Sequence, residues 1–350
     1  MSVLYCAKTE PRRYWKFNAK DQKYNYSFLP GIHPNFKGFY PHINLSVGSV
    51  LKDLKPQVLI ISGAWNTPTM LMALFGYNYP TTKLFWTEGH PDAQVTTNRI
   101  IGWLRGKVYR RFDGFCVPNN KTAAYVDSII NHRTAIYHIL PNTIDESNFR
   151  DKWTPGFSRL STTRNVEVVM RQVVTVCSLV DRKGVMELLE GYHLLDPDTR
   201  DHLKLVFVGT GDLDQQLREF AKRNSLLNVI FRGHIDADGI REVLQKSDAF
   251  ILATKRDPNP LTPIEASLMK LPIALSVKAG NHDEIIKPDT GWSIKYIDKV
   301  VIKATLQKIY ETDQEQLRLM GLAAHDNAMQ YFGQRSVVKK FTHFLKELIK

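Results

Sequence analysis

The chain is poor in cysteine. Cys6, Cys116 and Cys177 lie in three separate apolar runs. An odd count with no paired spacing excludes a disulfide framework and offers no zinc or redox motif, so all three read as buried, reduced thiols. Long apolar runs are missing too. No window approaches the ~18 consecutive apolar residues that span a bilayer, and residues 1–20 lack a signal peptide's apolar stretch and cleavage site. A cytoplasmic protein is expected. A dinucleotide oxidoreductase would need Gly-x-Gly-x-x-Gly on its first βα turn, whereas Gly209-Thr-Gly211 sits mid-chain without a third glycine. Although the pI is about 9.4, no helix-turn-helix, zinc pattern or RNA-binding aromatic motif appears, so nucleic acid is not an expected partner. There is no internal repeat and no low-complexity tract.

What is present is a balanced globular composition, 43% hydrophobic and 23% charged over 350 residues. That length suits two domains, each with its own core. The net charge of +12 is uneven. Residues 1–150 hold 18 basic and 9 acidic side chains, and the remainder 29 and 26. Such an N-terminal field attracts phosphate, on nucleic acid, anionic lipid or a lipid diphosphate alike.

Apolar runs at 58–62, 84–86, 114–117, 173–179, 205–208, 229–231, 249–253 and 273–276 are short and mostly β-branched or aromatic, as buried parallel strands are. Amphipathic stretches such as 213–222 and 238–246 separate them. The alternation predicts an α/β fold with doubly wound parallel sheets. The opening is odd: residues 2–7 run straight into a charged, aromatic segment at 8–28, so the first βα unit is missing or unusually built. A polar stretch around 146–164 is the natural linker.

The chemistry concentrates at Asp257-Pro-Asn-Pro-Leu-Thr-Pro-Ile-Glu265. Thr262 suits an N-cap, Pro263 the first helical position, and Glu265 stands three residues past the cap. A helix starting there, after the strand at 249–253, would aim free N–H groups at the carboxyl edge of the sheet, where anionic ligands bind. A plain capping box explains Thr262 and Glu265 equally well without a ligand. Arg182-Lys183-Gly184 follows the strand at 173–179, where a fixed cation would meet an anion.

Taken in order with Val206-Phe-Val-Gly-Thr-Gly211, Asn228-Val-Ile-Phe-Arg-Gly-His234, Ser247-Asp-Ala-Phe250, Gly280-Asn-His-Asp-Glu284 and Gly291-Trp292, the acidic-(seven residues)-Glu spacing resembles glycosyltransferase family 4, over about residues 50–345. The resemblance implies the GT-B fold, two Rossmann-like domains facing a cleft, and retaining, metal-independent transfer from a nucleotide sugar (UDP-, GDP- or similar) to a glycan or polyprenyl-diphosphate-linked acceptor, with no cofactor. It puts Glu265 on the donor ribose, Asp257 on a sugar hydroxyl, and the backbone of Pro260, Leu261 and Thr262 at the phosphates. Gly211 and His234 fall on the donor side. Lys183, with Arg182 beside it, would neutralise the departing diphosphate. Ser178 stands where the family usually has Arg. A catalytically weak or inactive GT-B protein that binds a nucleotide sugar or a partner enzyme is therefore the alternative reading, and an epimerase of the same fold a third.

In the N-terminal half, Trp86-Thr-Glu-Gly-His-Pro91 follows a strand, and the resemblance lets Glu88 or His90 face the reacting sugar. Asn119 and Asn120 stand at another strand end, open to acceptor or donor. Residues 99–111 pattern as a basic amphipathic helix, suited either to core packing or to anionic lipid at a peripheral membrane site on the inner face. The triplets Asp196-Pro-Asp198, Asp212-Leu-Asp214 and Asp236-Ala-Asp238 read as loop and helix-start acids, and no metal site is expected. The expected divisions are 1–150, an acceptor-side domain; 151–165, the linker; 166–330, the donor domain; and 331–350, a terminal helix free to cross back.

Overall fold

Strands form where β-branched and aromatic residues run together between glycines, prolines and charges, and helices where apolar residues recur every third or fourth position. The computed structural model describes residues 1–9, 22–35, 40–89, 98–145 and 170–349. Its first half runs β1 (Ser2–Tyr5), β2 (Asn25–Phe28), α1 (Val47–Leu54), β3 (Val58–Ser62), α2 (Pro68–Gly76), β4 (Thr82–Trp86), α3 (Arg99–Tyr109), β5 (Gly114–Val117), α4 (Asn120–Ile129) and β6 (Ile136–Ile139). Strands β3 to β6 form one parallel sheet in sequence order. The opening is unusually built: β1 pairs in parallel with β2 as a separate two-stranded sheet.

The second half runs β7 (Arg171–Val176), a 3-10 turn at Asp181–Lys183, α5 (Val185–His193), α6 (Pro197–His202), β8 (Leu203–Val208), α7 (Asp214–Arg223), β9 (Val229–Phe231), α8 (Ala237–Gln245) and β10 (Ala249–Leu252). It continues through α9 (Thr262–Leu268), β11 (Ile273–Ser276), α10 (His282–Ile285), β12 (Gly291–Ile294), α11 (Lys299–Glu311), α12 (Gln314–Phe332) and α13 (Gln334–Ile349). Its parallel sheet is ordered β12-β11-β10-β7-β8-β9. After β7 the chain winds outward to β9, then returns to the other side of β7. The carboxyl ends of β7 and β10 thus flank the point where winding reverses, the crevice in which such sheets bind ligands.

Both faces of this sheet are buried. Val173, Leu205, Phe207 and Ile251 pack under α5, α7 and α11, while Val174, Val206, Phe250 and Leu275 pack under α8, α9 and α12. Consecutive residues serve opposite faces, which is why the runs are continuously apolar. In the first half Phe85, Phe115 and Val117 meet Met70, Leu74, Val108 and Val126. The opposite face, at Leu84, Cys116 and Leu140, is covered by Val337, Phe341 and Phe344 of α13. His138 stacks on Phe344, ring centroids 4.4 Å apart. Helix α12 therefore lies on the second sheet and α13 on the first, with Gly333 at the crossing bridged to Ile144.

Several expectations need correction. All three cysteines are free, yet only Cys116 is fully buried, and burial pushes its thiol up to about 12. Cys6 and Cys177 are half-buried. Strands β6 and β12 were not evident as strands because polar residues such as His138 and Ser293 break their apolar runs, which a sheet edge tolerates. The segment expected as the linker, 151–165, lies outside the described residues. No helix among the described residues is long and apolar enough to cross a membrane.

Candidate active site

Two loops meet at the reversal point. The first leaves β7 through Cys177, Ser178 and Leu179 and makes the turn Asp181–Lys183. It is seamed to the neighbouring turn: Cys177 N donates to Val208 O at 3.0 Å and Leu179 N to Thr210 O at 2.9 Å. The second leaves β10 at Thr254. Arg182 O accepts from Lys255 N at 2.9 Å, Arg256 N at 3.2 Å and the Thr254 hydroxyl at 2.9 Å. That density of bonds requires Gly184, which has a φ of +64° and whose added Cβ would stand 1.9 Å from Ala253 O. Only glycine permits both the left-handed backbone and the approach.

The turn delivers Lys183 to Asp257. Their side chains form an ion pair, 10% and 11% exposed. Lys255 braces the turn from outside, its Nζ 2.6 Å from both Asp181 and Glu187. These outer pairs are partly exposed and contribute little energy, but they fix which way the turn faces.

Below Asp257 the chain is held by the segment after β11. Gly280 N donates to Asp257 O at 2.8 Å, and the Asn281 amide donates to Pro260 O at 2.8 Å. Gly280 again admits no side chain, since a Cβ would lie 1.7 Å from Pro258 O. Asn281, fully buried, is a holding residue that sequence reasoning missed. Its signal was the glycine-bearing loop, which marks a close approach but not the side chain that exploits it.

At α9 the expected cap is corrected. The N-cap is Leu261, with no side-chain cap bond, and Thr262 is the first helical residue. Glu265 N donates to Leu261 O at 3.1 Å, already an intrahelical bond. The helix begins one residue early because Leu261 adopts helical angles, φ −87° and ψ −31°. Glu265 is consequently not engaged in a capping box. Its carboxylate is half-buried, and burial alone pushes its pKa above the ordinary range. A desolvated carboxyl group in the first turn of a helix at the carboxyl edge of the sheet is a candidate binding group.

The remaining candidates are more dispersed. Arg182 is exposed beside Lys183, and Ser178 is exposed at the end of β7. Gly211 is exposed on the turn after β8, and Pro260 and Leu261 lead into α9. His234 is exposed beyond β9, two strands from β7, and is not joined to Lys183 or Asp257. Glu88, beyond β4, accepts a bond from the Asn142 amide at 3.0 Å. His90 lies outside the described residues. Asn119 and Asn120, expected to be open to acceptor or donor, instead give their amides to Pro258 O and Glu284 of the second half. Asp196 and Asp236 cap α6 and α8, and Asp214 opens α7. No cluster of metal-ligating side chains occurs among the described residues.

Two further depressions, of about 400 and 310 Å³, lie away from this crevice. The larger sits at the amino ends of β3 to β5, lined by Gln57, Thr81 and Asp113. That is the edge of a parallel sheet opposite to the one that binds ligands, so size alone does not make it the site.

The family model of glycosyl transferases group 1 matches residues 167–324. The matched span is a little under half of the chain. Mannosylfructose-phosphate synthase of Agrobacterium fabrum is 25% identical over 164 residues, which is 44% of this chain and 36% of that protein's length. The sucrose-phosphate synthase structure from Thermosynechococcus elongatus aligns with a TM-score of 0.72 at 14% identity, covering 99% of this chain and 88% of that one. Anabaena HepE, solved in complex with UDP and glucose, gives 0.66 at 15% identity, covering 93% and 86%. The structural likenesses establish the GT-B fold, two Rossmann-like domains. The loops after β7 and β10, with Lys183 and Asp257, lie inside the span that this family model matches.

Proposed function

We propose that the chain is a retaining glycosyltransferase that moves a sugar from a nucleoside-diphosphate donor to a hydroxyl of a glycan or lipid-linked glycan, without a metal. The observation that carries this reading is Lys183 held by the Gly184 turn against Asp257 at the reversal point of the sheet. The departing diphosphate gains charge as the glycosidic bond breaks, and a fixed ammonium there stabilises it without reorganisation. Asp257 accepts from a sugar hydroxyl and Glu265 from the ribose diol through charge-assisted bonds. The acceptor enters from the N-terminal domain, on the face the diphosphate leaves, which keeps the anomeric configuration. The relatives' names support a sugar-nucleotide donor: one makes mannosylfructose phosphate, and another was crystallised with UDP and glucose.

The test is a thermal-shift panel of nucleoside diphosphates and nucleotide sugars, run with and without EDTA. A ligand at 100 times its dissociation constant adds about 2.7 kcal/mol of stability. We expect one nucleobase class to raise the melting temperature. No shift with any member, or a shift that EDTA abolishes, overturns the donor site or its metal independence respectively. Donor hydrolysis with and without acceptor then separates an active enzyme from the inactive reading raised by Ser178.

The lipid-linked acceptor rests on α3. Val108 and Tyr109 enter the core, but Ile100, Trp103 and Leu104 are exposed, at 67%, 55% and 43%. Lys107 lies over the Trp103 ring at 3.9 Å, Arg111 is exposed nearby, and the helix contains no acid. Apolar residues beside cations suit an anionic membrane surface. The protein is expected to sediment with vesicles containing phosphatidylglycerol but not with pure phosphatidylcholine. Changing Ile100 and Trp103 together to serine should weaken that binding by roughly tenfold or more. Undiminished sedimentation of the double variant would exclude α3 as the contact.

A further inference from the structure

Besides the packing of α13 on the first sheet, the two domains are joined by three consecutive residues at the start of α4. Asn119, fully buried, caps α4 through its Oδ1, which accepts from Thr122 N at 2.9 Å, and its amide donates to Pro258 O at 3.2 Å. Asn120 donates twice to Glu284 Oε1, from its backbone N and from its side-chain amide, both at 3.0 Å. Lys121 Nζ donates to Val277 O at 2.9 Å and Ala279 O at 3.0 Å, with Asp283 at 3.8 Å.

Glu284 is the centre of this junction. It is 3% exposed, and its other oxygen, Oε2, is buried with no hydrogen-bond partner. A desolvated carboxylate is costly unless matched by a positive field, and here the match is the amino end of α4, contributed by the other domain. From behind, the Asn327 amide of α12 donates to Glu284 O at 2.8 Å, so the carboxylate cannot simply follow α4 if the domains separate.

The gripped segment is also the one woven into the candidate active site. Residues 277–284 meet the 257–260 loop through Gly280 N to Asp257 O, the Asn281 amide to Pro260 O, and the bridge between Asp257 and Ala279. Whatever fixes α4 against this segment therefore fixes the N-terminal domain against Asp257 and its partner Lys183.

We propose that Glu284 is a positioning residue for sugar transfer. By seating the start of α4 on its carboxylate, it sets the distance between the acceptor-bearing domain and the donor loop. The proposal rests on the transferase reading for its catalytic consequence, but its structural half stands apart from it. Few groups make this contact, they attach to the 277–284 segment and to Pro258 of the loop interlocked with it, and a rotation of the N-terminal domain breaks them together. The closed arrangement is in that sense two-state rather than gradual.

Four quantities test it: kcat, KM for the donor, the dissociation constant of the nucleoside diphosphate chosen by the thermal panel, and the radius of gyration in solution. Glu284→Ala is expected to lower kcat by roughly 10- to 100-fold, since misplacement of about 1 Å costs on that order. Nucleoside-diphosphate affinity should stay within about threefold, and the radius of gyration should rise. Glu284→Gln, which retains an acceptor for both Asn120 donors, should recover most of the loss. If Glu284→Ala fails to fold, Asn120→Ala with Lys121→Met loosens the same junction from the outer side and should show the same separation of kcat from affinity.

An unchanged kcat and radius of gyration, or a loss of diphosphate affinity as large as the loss of kcat, overturns the proposal. Should the unmodified protein bind no diphosphate and transfer no sugar, the transferase reading fails. The radius of gyration of the variants still decides whether Glu284 holds the domains together.

Discussion

Lys183→Ala is expected to slow sugar transfer by roughly 100-fold or more, equivalent to about 3 kcal/mol of lost transition-state stabilisation. The lysine is held by backbone geometry, not by chance of rotamer. The Gly184 turn and the three bonds to Arg182 O fix the direction of the loop, and the Asp257 carboxylate fixes the ammonium. A charge so placed acts on the leaving diphosphate more strongly than one that must be recruited from solvent. The same pairing complicates the experiment, because removing one partner of a buried pair strands the other at a cost of about 3 kcal/mol or more. The variant should therefore melt lower as well as turn over slowly. Lys183→Ala with Asp257→Ala removes the stranded charge and should regain part of the stability without regaining turnover. Steady-state kinetics beside a melting curve separate these effects. A folded Lys183→Ala enzyme with near-normal kcat would remove the lysine from the mechanism.

The second large effect is expected at Glu265, on donor affinity. Glu265→Gln should weaken nucleotide-sugar binding by roughly tenfold to a hundredfold, as the loss of charge-assisted bonds to a diol implies. Burial has already raised this carboxyl group's pKa above the ordinary range, which dictates the sign of two further results. An acid whose folded pKa lies above its unfolded value favours the fold when protonated; that contribution is complete below the unfolded pKa and is lost as pH rises through the folded pKa. Above the folded pKa the charged group is therefore a liability to the fold, and Glu265→Gln should melt no lower than the parent there. Donor affinity has the opposite dependence, falling as pH drops through the raised pKa because the protonated acid is a weaker acceptor. Calorimetric titration across that range, with melting curves on the same samples, reads both. A donor affinity independent of pH and of the substitution would take Glu265 out of the site.

Much of this was legible in the residues because the C-terminal sheet is buried on both faces. Its strands must be continuously apolar, so runs such as Val206-Phe-Val208 announce themselves, and the loops between them fall by subtraction at the strand ends. The acid at 257 and the lysine at 183 were visible as chemistry at such ends. What hid was of three kinds. Edge strands β6 and β12 carry His138 and Ser293 and lack the run that marks a central strand. The start of α9 turned on the backbone angles of Leu261, which a favourable Thr-x-x-Glu pattern could not reveal. The engagement of Asn119 and Asn120 depended on a domain more than a hundred residues away in sequence. Local pattern can name such an amide as polar but not its partner. In α3 the pattern was ambiguous by nature, since one stripe held both the buried Val108 and the exposed Trp103.

Helix α13 gives the molecule a threaded order of completion. The sheet formed by β3 to β6 is finished on one side by its own helices, but its other side waits for Val337, Phe341 and Phe344, which leave the ribosome only after the whole second sheet. The half synthesised first is thus the half sealed last, and until then its bare strands depend on whatever shelters a nascent chain.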